Sequence, residues 1–239
     1  MSRIRKRALS PSEVCRIKHK TFPLSRRWEE ALGSPSAHGV WFVYGASGNG
    51  KSNFVMQLAK ELCRHGKVIY DSLEEGFAKS FADSLIRNRM AEEETRLELY
   101  ELLPLDRLKE ILLQKRRPNI AIIDSIQETG FRSEHRYKAW LKGLEKKLII
   151  FISQADPKGN PLGAVAQKAE FGAMIKIHVS GMRAECKSRF SSGEKDKDGK
   201  PVEKIGYYDI WEERASEVWD DGTCLLNNDN KGIDNGDDD

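Results

Sequence analysis

The sequence has no apolar run long enough to cross a bilayer; its longest apolar stretches are short blocks such as Ile120–Ile123 and Leu148–Ile152. A helical membrane span needs about 20 apolar residues, so that class is excluded and no membrane partner is expected. Nor does an apolar segment follow the basic start, which gives no reason to expect a secretory signal. Cysteine is scarce. Cys15, Cys63, Cys186 and Cys224 lie far apart without a Cys-x-x-Cys pair, which speaks against a zinc knuckle and against a disulfide framework. The expectation is a reducing cytoplasm. What is plentiful is charge, at 32% of the 239 residues, beside 39% hydrophobic residues. A chain of this length buries an adequate core without staples.

The net charge of +3 hides an asymmetry. Residues 1–27 carry Arg3, Arg5, Lys6, Arg7, Arg16, Lys18, Lys20, Arg26 and Arg27 against Glu13 alone, whereas residues 227–239 hold five Asp and one Lys. A basic arm and an acidic tail suggest a polyanionic partner, or a tail that competes with one. Residues 1–36, with Pro11, Pro23 and Pro35, read as an arm or linker with Trp28 and Leu32 as docking residues. Residues 37–220 read as one α/β domain and 221–239 as the acidic tail.

Within the domain, Val40–Tyr44, Lys67–Asp71, Asn119–Asp124, Leu148–Ser153 and Met174–Val179 read as buried strands. Helical spacing runs over Ser52–His65 and Tyr137–Lys147, and residues 77–116 read as two or three helices interrupted near Pro104. This alternation implies βαβ crossovers: a doubly wound, mainly parallel sheet with helices on both faces. Arg183–Phe190 and Ile205–Glu212 read as an antiparallel hairpin at its edge, around a polar turn at Gly193–Lys200.

The segment Gly45-Ala46-Ser47-Gly48-Asn49-Gly50-Lys51-Ser52 fits G-x-x-x-x-G-K-[ST], and lies between an expected strand and an expected helix. Glycines let backbone N–H groups wrap phosphate oxygens, and the helix brings its positive end to the same oxygens. Lys51 supplies a point charge to the β/γ-phosphates of ATP, and Ser52 a hydroxyl to Mg²⁺. Asp124 ends an apolar strand at the sheet edge where such folds bind ligands, and is the second candidate for the metal. Hydrolysis needs a group to orient water; Glu74, then Glu75, follow the second strand and take that role. Gln154 closes the fourth strand, where it can sense the γ-phosphate.

Together the phosphate loop, Ser-Leu-Glu-Glu at 72–75, Ile-Ile-Asp-Ser at 122–125 and Ile-Ser-Gln at 152–154 resemble the RecA-like ATPase core, the group of RecA and RadA, KaiC-like ATPases and DnaB-type helicases. The resemblance covers about residues 38–215. Lys187-Ser188-Arg189-Phe190 is similar to the Lys-Asn-Arg-Phe-Gly motif of bacterial RadA, with Ser188 for the Asn and Ser191 for the Gly. It implies that Lys187 and Arg189 reach the ATP of a neighbouring subunit, in a hexameric ring or a filament. The extra domains of those proteins are missing, so the resemblance is to short, core-only proteins of phages and mobile elements, acting in a bacterial or phage-infected cell.

The same resemblance implies that the segment after Gln154, with Lys158, Gly159 and Lys168, contacts single-stranded DNA. Glycines allow close approach and lysines meet phosphates. Arg132, Arg136 and Lys138 offer a second surface. No base-reading motif is present, so binding is expected to be sequence-independent. The leading reading is a Mg²⁺-dependent, DNA-stimulated ATPase of recombination, repair or replication. Two others stand beside it: a KaiC-like switch or loader acting on a protein without DNA, and a small-molecule kinase with Arg87, Arg89 and Arg96 in a lid.

Overall fold

In a computed structural model, residues 8–189, 205–211, 219–220 and 223–224 are described. Eight strands form one sheet: β1 (Gly39–Gly45), β2 (Val68–Ser72), β3 (Leu97–Glu101), β4 (Ile120–Asp124), β5 (Leu148–Gln154), β6 (Ile175–Ser180), β7 (Arg183–Ser188) and β8 (Ile205–Asp209), in the order β3-β2-β4-β5-β1-β6-β7-β8. From β3 to β6 every pairing is parallel, and β6-β7 and β7-β8 are antiparallel. This is the doubly wound, mainly parallel sheet with an antiparallel C-terminal edge that the residue pattern implies, and it is consistent with a RecA-like α/β fold. The turn at 193–200 lies outside the described residues. So do most of the acidic tail and the first seven residues of the basic arm.

The central strands read as near-continuous apolar runs because helices cover both faces. Alternation then sorts side chains: Trp41 and Val43 of β1 join the core that holds α2 (Arg26–Leu32) and α3 (Lys51–Cys63). Phe42 joins the opposite core with α5 (Leu105–Leu113), α6 (Glu134–Leu141) and α7 (Ala164–Gly172). Among the described residues no helix is long and apolar enough to cross a membrane.

Four expectations need correction. Residues 97–101, read as helical, form β3. Its Leu-Glu-Leu-Tyr-Glu composition suits a helix, but parallel pairing from Val68↔Leu97 to Ser72↔Glu101 makes it the sheet edge. The segment between Gln154 and Met174, read as a loop, contains α7, with Ala166 and Ala169 buried on one side.

Part of the supposed arm belongs to the domain: Phe22, Leu24, Trp28, Ala31 and Leu32 are core residues. Trp28 stacks on Tyr208 of β8 with ring centroids 3.9 Å apart. Helix α2 lies so close to β8 that a Cβ on Gly206 would sit 2.1 Å from the Ala31 carbonyl oxygen. The expected docking residues Trp28 and Leu32, with Phe22 beside them, are therefore buried within their own chain. Upstream of α2, a short helix α1 (Pro11–Cys15) is closed by a capping box between Ser10 and Glu13. A two-residue antiparallel pair, β9 (Trp219–Asp220) with β10 (Thr223–Cys224), lies where only loop and tail were expected.

Candidate functional site: the phosphate cleft

Two glycines set the loop between β1 and α3, one through close backbone packing and one through its positive φ. Gly45 ends β1 against β6, where a Cβ would approach the Val179 carbonyl oxygen to 2.1 Å. Gly50, at φ +93°, turns the chain into α3, where a Cβ would meet Met182 Sδ at 2.7 Å. With glycine in that place, α3 starts without a side-chain cap. Its first-turn N–H groups are thus left for an anion at the helix's positive end. Asn49 Oδ1 accepts the Gly181 N–H at 2.9 Å and pins the loop to the β6–β7 turn.

The cleft beyond this loop, of about 470 Å³, brings together Lys51, Ser52, Glu74, Glu75, Asp124 and Gln154. Six of the residues singled out from sequence therefore meet in one place, from the ends of β2, β4 and β5 and the start of α3. The Lys51 ammonium rests on the Ala46 carbonyl at 2.9 Å. Burial lowers its pKa, while the carboxylates of Asp124 and Glu74 pull it back up.

Asp124 accepts from the Tyr70 hydroxyl at 2.7 Å. Burial pushes its pKa up to about 6; Glu74 and Glu75 push the same way, and Tyr70 and Lys51 oppose them. Its backbone carbonyl accepts from Leu73 N at 2.6 Å and Glu74 N at 3.0 Å, which ties the exit of β2 to the exit of β4. The two acids expected to orient water differ in engagement. Glu74 Oε1 accepts from the Gln154 amide at 2.6 Å, whereas Glu75 Oε2 accepts from the Ser80 hydroxyl at 2.6 Å.

Such a donor set fits Mg²⁺ with nucleotide. Among the described residues no group of three or more His, Cys, Asp or Glu forms a cage. Mg²⁺ does not need one, because it takes one or two protein oxygens and fills its octahedron with water and phosphate. Ser52 and Asp124 both line the cleft and would supply those oxygens, and a bound cation would relieve the charge that Glu74 and Glu75 place on Asp124.

One residue behind the cleft, Tyr70, carries no sequence signal, and one that lines it, Arg87, is expected elsewhere. Tyr70 sits inside a strand, where only the register reveals that it reaches Asp124. Arg87, on α4 (Lys79–Arg87), lines the cleft and donates to Asn53 Oδ1 at 3.2 Å. Its sequence expectation, shared with Arg89 and Arg96, is the lid of a small-molecule kinase rather than the phosphate cleft.

Lys187 and Arg189 are not in the cleft. Lys187 pairs in register with Lys176, and Lys176 with Phe42, three positions before Gly45; that is about 10 Å down the sheet from the phosphate loop. Lys187 Nζ lies 3.1 Å from Glu185, and Arg189 donates to the Phe171 carbonyl at 2.8 Å.

The expected DNA residues divide. Lys158 and Gly159 lie in a tight turn held by Asp156, whose carboxylate accepts from Lys158 N and Asn160 N. Lys168 is on α7 and pairs with Glu134 at 3.3 Å. Arg132 and Arg136 are exposed after β4, Arg136 in the first turn of α6.

No protein-family model matches the chain, and no curated protein matches it. Among solved structures it is similar to the flagellar accessory protein FlaH from Methanocaldococcus jannaschii. The match has 19% identity over 72% of this chain and 88% of that one, with a TM-score of 0.49. The chemistry of the cleft stands on its own residues.

Proposed function

We propose that this protein is a Mg²⁺-dependent ATPase of the RecA-like group that assembles as a ring or filament and acts on single-stranded DNA. The observation that carries the reading is the Glu74–Gln154 hydrogen bond, made across the cleft that also holds Lys51 and Asp124. A nucleotide-binding site alone requires the loop and a metal ligand. An acid poised for water beside a neutral amide is the additional equipment of a hydrolase.

Loop N–H groups and Lys51 bind and orient the phosphates, with the ammonium leaving Ala46 for them. Mg²⁺, when bound, neutralises charge on the β- and γ-phosphates. Glu74 orients the attacking water and accepts its proton. In this cycle Glu74 trades the Gln154 amide for the water, and the freed amide then donates to a γ-phosphate oxygen.

Lys187 and Arg189 lie too far down the sheet for their own phosphate loop, which supports a role on a neighbour's nucleotide as the RadA-like motif implies. Lys158 and Gly159, Arg132 and Arg136 follow the C-terminal ends of β5 and β4, on the same sheet edge as the cleft, which supports a polyanion there. Lys168 contributes less, since Glu134 already neutralises it. That pairing, with Asp156 in the adjacent turn, favours the second reading: a KaiC-like switch that assembles on ATP and acts on a protein.

ATP turnover with and without single-stranded DNA, with Lys51→Ala as the blank, separates them. Stimulation of several-fold that disappears in the variant is expected. Turnover indifferent to DNA would favour the switch.

A further inference from the structure

Gln127 belongs to a short 3₁₀ turn, Ile126–Thr129, that follows Asp124 directly. Its side chain crosses from the exit of β4 to the exit of β5. Nε2 donates to Ser153 Oγ at 2.8 Å and to the Leu162 carbonyl at 2.9 Å, and Oε1 accepts from Gln154 N at 3.4 Å. A backbone carbonyl only accepts and a backbone N–H only donates, so these contacts fix which end of the amide faces which group.

The three contacted residues are not scattered. Ser153 precedes Gln154, and Leu162 closes the turn after it: Leu162 N donates to the Gln154 carbonyl at 2.9 Å, and Ala155 pairs with Pro161. Gln127 thus holds the backbone of Gln154 from one side while the Gln154 side chain holds Glu74 from the other. A continuous chain of polar contacts leads from the cleft through Glu74, Gln154 and Gln127. It ends on two surface segments, 126–133 and 155–163.

We propose that Gln127 is a positioning residue that locks these two segments to Gln154, so that a change of partner at the Gln154 side chain displaces both together. The switch is Gln154's choice between two acceptors, the Glu74 carboxylate and a phosphate oxygen. Without the Gln127 amide, the segment after β4 has no side-chain link to that choice through this route, and the turn after β5 loses its tie from Gln127 to the Leu162 carbonyl. The inference rests on the nucleotide-binding reading of the cleft and is independent of what the segments bind.

Amide hydrogen exchange on the full chain, with a non-hydrolysable ATP analogue and Mg²⁺, tests it. In the unaltered protein the analogue is expected to slow exchange at 45–52 and to change it in both 128–133 and 156–163. In Gln127→Ala the slowing at 45–52 is retained, and the changes in the two segments are lost or fall about five-fold or more. Gln127→Glu keeps the acceptor for Gln154 N, removes both donors and is expected to uncouple 156–163 likewise; it serves as the second variant if the alanine chain does not fold. Segment responses equal to the unaltered protein's, at equal protection of 45–52, would overturn the proposal. So would an unaltered protein whose loop is protected while neither segment responds. No protection at 45–52 in the unaltered protein would overturn the nucleotide reading itself, and this inference with it.

Discussion

The Tyr70 hydroxyl reaches Asp124 Oδ2 at 2.7 Å from inside the core. Tyr70 is fully buried, on the strand beside the one that Asp124 ends. Its donation favours the ionised carboxylate, against burial and the neighbouring acids that push Asp124 to about 6. Tyr70→Phe keeps the ring and removes the donor, so Asp124 is expected to hold its proton to still higher pH. The Mg²⁺ concentration needed for half-maximal nucleotide binding should rise about tenfold or more, with the deficit growing below pH 7. A Mg²⁺ titration at fixed nucleotide reads this. An unchanged midpoint would remove Asp124 from the metal site.

Glu74 and Glu75 are separable by their partners. Glu74→Gln should lower turnover by about 10²–10⁴-fold while leaving Mg²⁺–ATP binding within a few-fold, because Lys51 and the loop are untouched. Glu75→Gln keeps an acceptor for the Ser80 hydroxyl and should retain most of the activity. The reverse ranking in single-turnover assays would transfer the water-orienting role to Glu75.

For Lys187 and Arg189 the decisive measurement is subunit mixing. Each of Lys187→Ala and Arg189→Ala should lose stimulated turnover and still bind ATP. Mixed with Lys51→Ala, either should regain part of it, because a mixed assembly contains interfaces with one intact loop and one intact pair of cations. No recovery at any mixing ratio, with assembly demonstrated, would count against action on a neighbour.

Asp71 offers a pH-dependent stability term away from the cleft's ligands. It is fully buried, and Oδ1 accepts from Leu103 N at 3.1 Å while Oδ2 has no partner. Burial raises its pKa to about 6, with the Leu103 N–H pulling the other way. A raised acid binds its proton more tightly in the folded state. Stability is therefore lost as pH rises from about 4 through about 6, by at most about 3 kcal/mol. Asp71→Asn keeps an acceptor for Leu103 and removes the charge. It should be more stable than the unaltered protein at pH 7.5 by about 1–2 kcal/mol, part of the gain being offset by a buried amide NH₂. The advantage should vanish near pH 4, as urea midpoints across that range will show.

Local chemistry made much of the site legible. Gly45, Gly50, Lys51 and Ser52 fall within one stretch of eight residues, and Asp124 and Gln154 end strongly apolar strands, so each could be assigned without knowing its neighbours. Lys187 and Arg189 were found by motif, and register puts them away from their own loop. Less legible were elements whose composition and environment disagree. Leu97–Glu101 has helix-forming residues but takes the sheet edge because β2 has an unpaired side. Residues 164–172 have weak periodicity, since small alanines face the core.

What the sequence by itself determined is the phosphate loop, five of the six parallel strands and the identity of the acids near the cleft, because each depends on a short pattern. Tertiary structure alone decided which acid meets Gln154, that Tyr70 serves Asp124, and that α2 belongs to the core. Those outcomes depend on strand order and register, which bring together residues such as Glu74 and Gln154 whose separation in the chain carries no periodic signal.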